Sequence, residues 1–199
     1  MRSRPPEAKS CPEEAPGVAM HRLFVAIRPP EPIRDLLLDA MDDSADFRWQ
    51  DEDQLHLTLR FVGEVERPVA DDLAAELGRI RAQPFELRIA GTGRFEQRGS
   101  GALWAGVEPR APVAALAAKV ERTCLTVGLE PERRAFHPHI TLARWKGRRG
   151  HEVVRFLERT RGLASAPFEV TEFILFESRL SRHGAHYEEV ARYPISGSQ

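Results

Sequence analysis

Two short segments with the same pattern carry residue types that can do chemistry. Each has a histidine followed two positions later by a threonine: His56 with Thr58, and His139 with Thr141. Histidine suits proton transfer near neutral pH because its unperturbed pKa is about 6.5. Side chains two positions apart in a strand lie on the same face, so each segment would present one imidazole beside one hydroxyl.

Two imidazoles and two hydroxyls facing one cleft form a minimal set of groups for hydrolysing a strained cyclic phosphodiester without a metal. A neutral histidine takes a proton from the attacking water, and a protonated histidine gives one to the departing sugar oxygen. The threonine hydroxyls would bind the non-bridging phosphate oxygens. A single His-x-Thr is typical of a structural strand, but matched flanks and matched positions favour one shared site.

The two segments recur at corresponding places in two halves of the chain, each with strands and helices in a similar order. The predicted strands are 23–27, 47–49, 55–62, 85–89, 102–107, 140–145, 168–177 and 187–193, and the predicted helices are 32–40, 69–81, 112–127 and 153–160. We therefore expect an α+β fold with two pseudo-symmetric lobes, each an antiparallel sheet flanked by helices, and an active-site groove between them. The 99–101 segment, Gly-Ser-Gly, predicts a turn between the lobes or a loop beside the cleft.

The flanks of both segments resemble the two-histidine phosphoesterase superfamily. The relevant blocks are QLHLTLRFVGE at 54–64, FHPHITLAR at 136–144 and the opening RLFVAI at 22–27. Within that superfamily they are similar to the bacterial and archaeal RNA 2′,3′-cyclic phosphodiesterases, also called 2′-5′ RNA ligases. The resemblance covers about Met20 to Tyr193.

The resemblance implies hydrolysis of a terminal RNA 2′,3′-cyclic phosphate to a 2′-phosphate, with no metal and no cofactor. It assigns His56 as proton donor to the 3′ oxygen and His139 as proton acceptor from water. Thr58 and Thr141 are the implied phosphate ligands. It also implies a reversible 2′-5′ ligation, in which an RNA hydroxyl replaces water and the same proton transfers run backwards.

Two arginines are further candidates for substrate contact. Arg60 is in phase with His56 and Thr58 if the strand alternates strictly. Arg144 shares a face with Thr141 only if its strand slips or bulges. Four aromatic residues are candidates for stacking on a base, although each is more typical of a core: Trp49, Phe61, Trp104 and Trp145.

Three alternatives stay open. A metal enzyme would use His137 and His139 with His56, or with His183 and His186, but zinc sites also want carboxylate or cysteine partners, and chelators would reveal them. A non-catalytic module would bind RNA ends without turnover. An esterase for small cyclic nucleotides or ADP-ribose cyclic phosphate would need the same two histidines and two threonines.

Composition is that of an ordinary globular protein. The chain has 199 residues, 42% hydrophobic and 30% charged, which suffices for one core or two small fused lobes. The formal net charge of −1 gives no global attraction to nucleic acid, so RNA recognition must be local, and basic residues cluster at 144–149. No apolar run reaches the roughly 20 residues of a membrane span. No phosphate-binding glycine loop is present, so ATP is not expected.

We expect a disordered extension at 1–19, where the first 17 residues lack an apolar core, and a single bilobal domain at 20–195. Met20 is a candidate start of the working protein. Cys11 and Cys124 offer no disulfide framework, so a reducing cytoplasm is the expected compartment. A monomer is the expected state.

Overall fold

Strands and helices follow one another along residues 19–42, 44–181 and 184–195, the part of the chain that this computed structural model describes. The strands are β1 (Met20–Ile27), β2 (Arg48–Trp49), β3 (Leu57–Glu66), β4 (Phe85–Gln97), β5 (Ser100–Glu108), β6 (His139–Lys146), β7 (Phe168–Val170), β8 (Glu172–Ser181) and β9 (Gly184–Pro194). The helices are α1 (Glu31–Ala40), α2 (Arg67–Leu77), α3 (Arg110–Thr126) and α4 (Gly150–Arg159), with a 3₁₀ turn at Glu52–Gln54. The disordered extension expected at the start, with Cys11, lies almost wholly outside the described residues.

The strands form an antiparallel sheet in the order β7-β4-β5-β6-β3-β1-β8-β9, with β2 added to β6. At its centre β3 meets β6 through one residue pair, Leu57 with Ile140. One lobe, which we call the β3 lobe, contains β1, β3, β8 and β9. The other, the β6 lobe, contains β2, β4, β5, β6 and β7. The α+β bilobal architecture is confirmed, and a groove opens where β3 and β6 diverge.

The lobes do not coincide with the two halves of the sequence. β4 belongs to the first half but pairs with β5, while β8 belongs to the second half but pairs with β1. The 99–101 segment therefore turns within the β6 lobe and does not link the lobes. Arg98 and Gly99 have φ angles of 39° and 79°, as a two-residue type I′ hairpin requires.

The predicted helices and most predicted strands are confirmed, but the single strand expected at 168–177 is two strands, β7 and β8, which pair with β4 and β1 in different lobes. Some other strands run further than expected. β3 continues past Gly63, whose φ of 87° lies at a register shift against β1. Glycine takes this conformation without strain, so it forms a bulge here instead of ending the strand. Within the described residues, no helix combines the length and apolarity needed to cross a bilayer.

Alternating side chains of β1 divide the apolar residues between the two faces of the sheet. Leu23 and Val25 belong to the large core, which includes buried residues of all four helices. Phe24 and Ala26 face the other way and join a small cluster with Ile174 and Phe176, against which Tyr187 packs. This second cluster lies on the face of the sheet opposite the helices.

Candidate active site

The two candidate histidines occupy equivalent positions beside the pair that joins the lobes. His56 immediately precedes β3 and His139 begins β6. The Nδ1 atom of His56 lies 2.7 Å from the carbonyl oxygen of Gln54, and that of His139 lies 2.6 Å from the carbonyl oxygen of His137. A carbonyl only accepts, so each neutral ring carries its proton on Nδ1. Nε2 is left as the nitrogen that takes or gives a proton.

His56 packs on the small apolar cluster. Its ring centroid lies 4.8 Å from that of Phe24, 5.2 Å from Tyr187 and 6.4 Å from Phe176. This desolvation lowers the pKa of His56 from 6.5 to about 4, and the nearby positive charge of Arg144 acts in the same direction. His56 is therefore neutral at pH 7 when the site is empty.

His139 has a different aromatic environment. Its ring meets Phe95 edge-on at 4.9 Å between centroids and lies 6.2 Å from Trp104. Burial lowers the pKa of His139 below 6.5, and the charges of His137 and Arg144 add to this effect. His139 is thus also neutral at pH 7, which is the form that accepts a proton.

A bulge at Leu142 in β6 turns Arg144 toward the site. Thr141 and Ala143 pair with consecutive residues of β5, so Leu142 is an extra residue between them. Leu142 and Ala143 are both buried. Arg144 is exposed, and the extra residue places it on the same face of β6 as Thr141. The charge of Arg144 lowers the pKa of both candidate histidines, which shows that it lies near both rings. The bulge that Arg144 needs in order to share a face with Thr141 is therefore present.

An equivalent bulge at Leu59 in β3 turns Arg60 away. Thr58 and Arg60 pair with consecutive residues of β1, so Leu59 is the extra residue. Arg60 is only 9% exposed, and its Nε donates to the Glu121 carboxylate at 2.5 Å, while Nη2 donates to a carbonyl of the loop before β6. The expectation that Arg60 lies on the same face of β3 as Thr58 is therefore wrong. Phe61, 47% exposed, takes that place.

A cleft of about 1200 Å³ runs between the lobes. Its lining includes Thr58, Thr141, His139 and Arg144. Both threonines are partly buried, with their side chains directed along the same faces as the neighbouring imidazoles. The cleft thus brings His139, both hydroxyls and a cation together, and His56 lies beside it on the small apolar cluster.

The family of the chain follows from a comparison with known protein families. The model of the 2′-5′ RNA ligase superfamily matches residues 27–182, a span that includes both His-x-Thr segments. This chain belongs to the 2′-5′ RNA ligase superfamily.

Named relatives and a solved structure extend this assignment. An RNA 2′,3′-cyclic phosphodiesterase of Aeropyrum pernix is 35% identical over 151 residues, covering 74% of this chain and 86% of the relative. One of Thermus thermophilus is 35% identical over 193 residues, covering 88% and 91%. The crystal structure of Escherichia coli LigT complexed with 3′-AMP superposes with a TM-score of 0.75 at 28% identity, covering 89% of this chain and 99% of LigT.

In this 2′-5′ RNA ligase superfamily member, the four aromatic candidates divide between core and cleft. Trp145 is buried in the large core and Trp49 packs against it. Phe61 lines the cleft, and Trp104 lies beside His139. The sequence interpretation missed Phe24 and Tyr187, which desolvate His56. The alternation of β1 hinted at Phe24, but nothing local to Tyr187 indicates that β9 reaches the site.

The metal-site alternative has no supporting cluster in the described residues, where no group of three or more His, Cys, Asp or Glu is placed to hold an ion. His183, named in that alternative, lies outside them. His137 has its ring centroid 6.0 Å from that of His139. Its Nε2 atom is buried without a hydrogen-bond partner among the described residues.

Proposed function

We propose that this superfamily member hydrolyses terminal RNA 2′,3′-cyclic phosphates to 2′-phosphates by metal-independent acid–base catalysis. The observation that carries the proposal is the matched pair of imidazoles, each anchored through Nδ1 to a backbone carbonyl and each with Nε2 free for proton transfer. The activity for which the Aeropyrum and Thermus relatives are named supports the choice of substrate.

The proposed reaction needs two proton transfers. His139 Nε2 takes a proton from water as the water oxygen bonds to phosphorus. The bond between phosphorus and the 3′ oxygen breaks, and His56 Nε2 donates its proton to that oxygen. The phosphate stays on the 2′ oxygen. The hydroxyls of Thr58 and Thr141 donate to the non-bridging oxygens, and the Arg144 guanidinium offsets their negative charge.

The low pKa of His56 is compatible with its role as the donor. The empty, desolvated site disfavours the imidazolium, but an anionic phosphate placed beside the ring favours it. The negative charge of the bound substrate therefore favours the protonated form of His56, which is the form that donates a proton. The choice of His56 as donor and His139 as acceptor follows the family resemblance.

The same groups support reversible 2′-5′ ligation, which we propose as a secondary activity. An RNA hydroxyl takes the place of water at the phosphorus and His139 takes its proton, while the bond between phosphorus and the 3′ oxygen breaks and His56 protonates that oxygen. No further residue is required, so the balance between the two reactions depends on whether water or an RNA hydroxyl occupies the position of attack.

We also propose that the protein works as a monomer in a reducing cytoplasm. Both histidines and both threonines come from one chain, so the site needs no second copy. Cys124 is a buried free thiol, and burial raises its pKa to about 11, which leaves it protonated and unreactive. Analytical ultracentrifugation with and without RNA tests the monomer, and cell fractionation tests the compartment.

The decisive experiment is hydrolysis of a short RNA ending in a 2′,3′-cyclic phosphate, with and without EDTA, resolving the 2′- from the 3′-phosphate. We expect EDTA-resistant formation of the 2′-phosphate. His56→Ala and His139→Ala should each lower kcat by about 10²- to 10⁴-fold. His151→Ala, at an exposed position of α4, is the matched control.

Each departure from this pattern has a distinct meaning. Loss of activity in EDTA would replace the proposal with a metal mechanism. A 3′-phosphate product would show that the bond to the 2′ oxygen breaks and would overturn the proposed leaving group. Turnover of cyclic mononucleotides alone would move the substrate to small molecules, and binding of RNA ends without any turnover would identify a binding module.

A further inference from the structure

Beyond their bulges, strands β3 and β6 carry exposed side chains of different charge. Beyond its bulge, β6 directs Arg144 and Lys146 to the exposed face that lines the cleft. The corresponding position of β3 is Phe61, and the charged residues that follow it in β3 are acidic, Glu64 and Glu66. The exposed charges of β6 beyond the site are therefore basic, whereas those of β3 are acidic.

Strand β2 adds a third cation to the β6 side of the cleft. Arg48 stands directly opposite Arg144 in the antiparallel pairing of β2 with β6. Both are exposed and both line the cleft. Burial raises the pKa of Tyr187, and the charges of Arg144, Arg22 and Arg48 oppose that rise, so Arg144 and Arg48 lie near the wall that holds His56, together with Arg22 of β1.

This arrangement is unfavourable without an anion. Like charges directly opposite each other across two strands repel. Among the described residues, neither Arg48, Arg144 nor Lys146 has a carboxylate within ion-pair distance, whereas neighbouring Arg149 lies 3.5 Å from Asp46. Three cations held together on the wall of a cleft indicate a polyanionic ligand.

The spacing suits successive phosphates of one strand. Residues two apart in a β-strand are separated by roughly 6 to 7 Å, which is comparable to the distance between adjacent phosphates in single-stranded RNA. In the proposed mechanism Arg144 contacts the reacting phosphate, which leaves Lys146, two residues along β6, and Arg48, opposite Arg144 on β2, available to phosphates further along the chain.

We propose that the RNA strand leading to the cyclic phosphate runs along the β2–β6 wall, with its backbone phosphates against Arg48 and Lys146. This inference rests on the proposed function and names the path of the substrate through that site. The Phe61 wall then faces the sugar and base side of the terminal nucleotide. Local charge of this kind explains how a chain with a net charge of −1 can select a polyanion.

The test is equilibrium binding of a fluorescent single-stranded RNA with an inert 3′-phosphate end, measured by anisotropy over a series of salt concentrations. The test variant is Arg48→Gln with Lys146→Gln. The control is Arg67→Gln with Arg79→Gln, which removes the same charge from two residues at and just beyond the ends of α2, 77% and 74% exposed.

We expect the test variant to bind at least about tenfold more weakly at low salt, with the control matching the unaltered protein. Each phosphate contact on a single strand contributes about −0.7 to the slope of log affinity against log salt, so losing two should flatten the slope by about 1.4. Unchanged affinity, or weaker binding with an unchanged slope, would overturn the proposed path.

A turnover comparison separates this inference from the proposed function. The ratio of kcat/KM for a cyclic-phosphate RNA to that for a 2′,3′-cyclic mononucleotide should fall in the test variant. An unchanged ratio would overturn the path while leaving the function standing. If the unaltered protein cleaves neither substrate, the proposed function fails, and the binding measurement still decides the path.

Discussion

The two imidazoles are alike in their anchoring and unlike in their surroundings. Each holds a backbone carbonyl through Nδ1. His56 rests on Phe24 and Tyr187, whereas His139 meets Phe95 and Trp104. Side-chain identity supplies the chemistry at this scale, and desolvation by neighbouring rings decides how readily each imidazole holds a proton.

A bell-shaped pH dependence follows from these pKa values. Rising pH removes the proton from the donor and falling pH protonates the acceptor, so the rate drops on both sides. Burial lowers the pKa of His56 to about 4 and that of His139 below 6.5. The optimum of kcat/KM, which reports the free enzyme, should therefore lie below pH 6.5.

The profile of kcat should lie at higher pH than that of kcat/KM, because bound phosphate raises the pKa of both rings. Both profiles come from initial rates on a cyclic-phosphate RNA in buffers of constant ionic strength. A kcat/KM that stays flat from about pH 5 to about pH 9 would contradict a mechanism in which one histidine donates a proton and the other accepts one.

At the scale of elements, helix α3 holds the loop that leads into β6. The Glu121 carboxylate accepts the Glu132 N–H at 2.9 Å through Oε1 and the Arg60 Nε–H at 2.5 Å through Oε2. The same loop ends with the His137 carbonyl, which fixes His139. Arg60 therefore acts as an anchor of this loop, which explains why its donors are engaged away from the phosphate.

Replacing Glu121 by Gln should weaken this anchor. The amide oxygen can still accept one hydrogen bond, but the Arg60 guanidinium, 9% exposed, loses the nearer of its two charged partners and keeps only Glu132 at 3.8 Å. We expect the free energy of unfolding to fall by about 2 kcal/mol and kcat to fall several-fold. Urea unfolding and initial rates measure the two effects.

Glu158→Gln, at an exposed position of α4, is the matched control for the charge change. A Glu121→Gln protein with unchanged stability would show that α3 does not hold the loop. Lower stability with an unchanged rate and pH profile would show that the anchor does not reach His139.

At the scale of the whole molecule, two lobes meet at a single residue pair and share one site. Neither lobe alone contains both histidines, since His56 belongs to the β3 lobe and His139 to the β6 lobe. The small apolar cluster beneath His56 joins strands from both ends of the chain. The site therefore exists only when the full sheet is assembled.

Acid should destabilise the fold through His56. Its pKa is about 4 in the folded protein and 6.5 as the ordinary value, so the unfolded chain binds the proton first. The stability present above pH 6.5 is lost as the pH falls toward about 4, by up to about 3 kcal/mol. Urea unfolding at several pH values, compared with His56→Ala, measures this loss. Parallel curves for the two proteins would mean that His56 contributes none of it.

The sequence by itself determined the α+β bilobal class and the types of the elements, and it predicted four candidate site residues. His56, Thr58, His139 and Thr141 follow from residue chemistry and a period of two, both of which are local properties. The apolar periods of the helices are local too, and they predicted all four helices near their observed positions.

Only the tertiary structure decided which edge each strand joins and where each strand bulges. A bulge is defined by the pairing with the partner strand, so no local pattern could show that the bulge at Leu59 turns Arg60 to the face opposite Thr58. The bulge at Leu142, by contrast, brings Arg144 to the face of Thr141. The packing of Phe24 and Tyr187 against His56 likewise joins residues far apart in the chain. Local periodicity encodes the face of a side chain, whereas register, desolvation and pKa arise from contacts that exist only in the folded sheet.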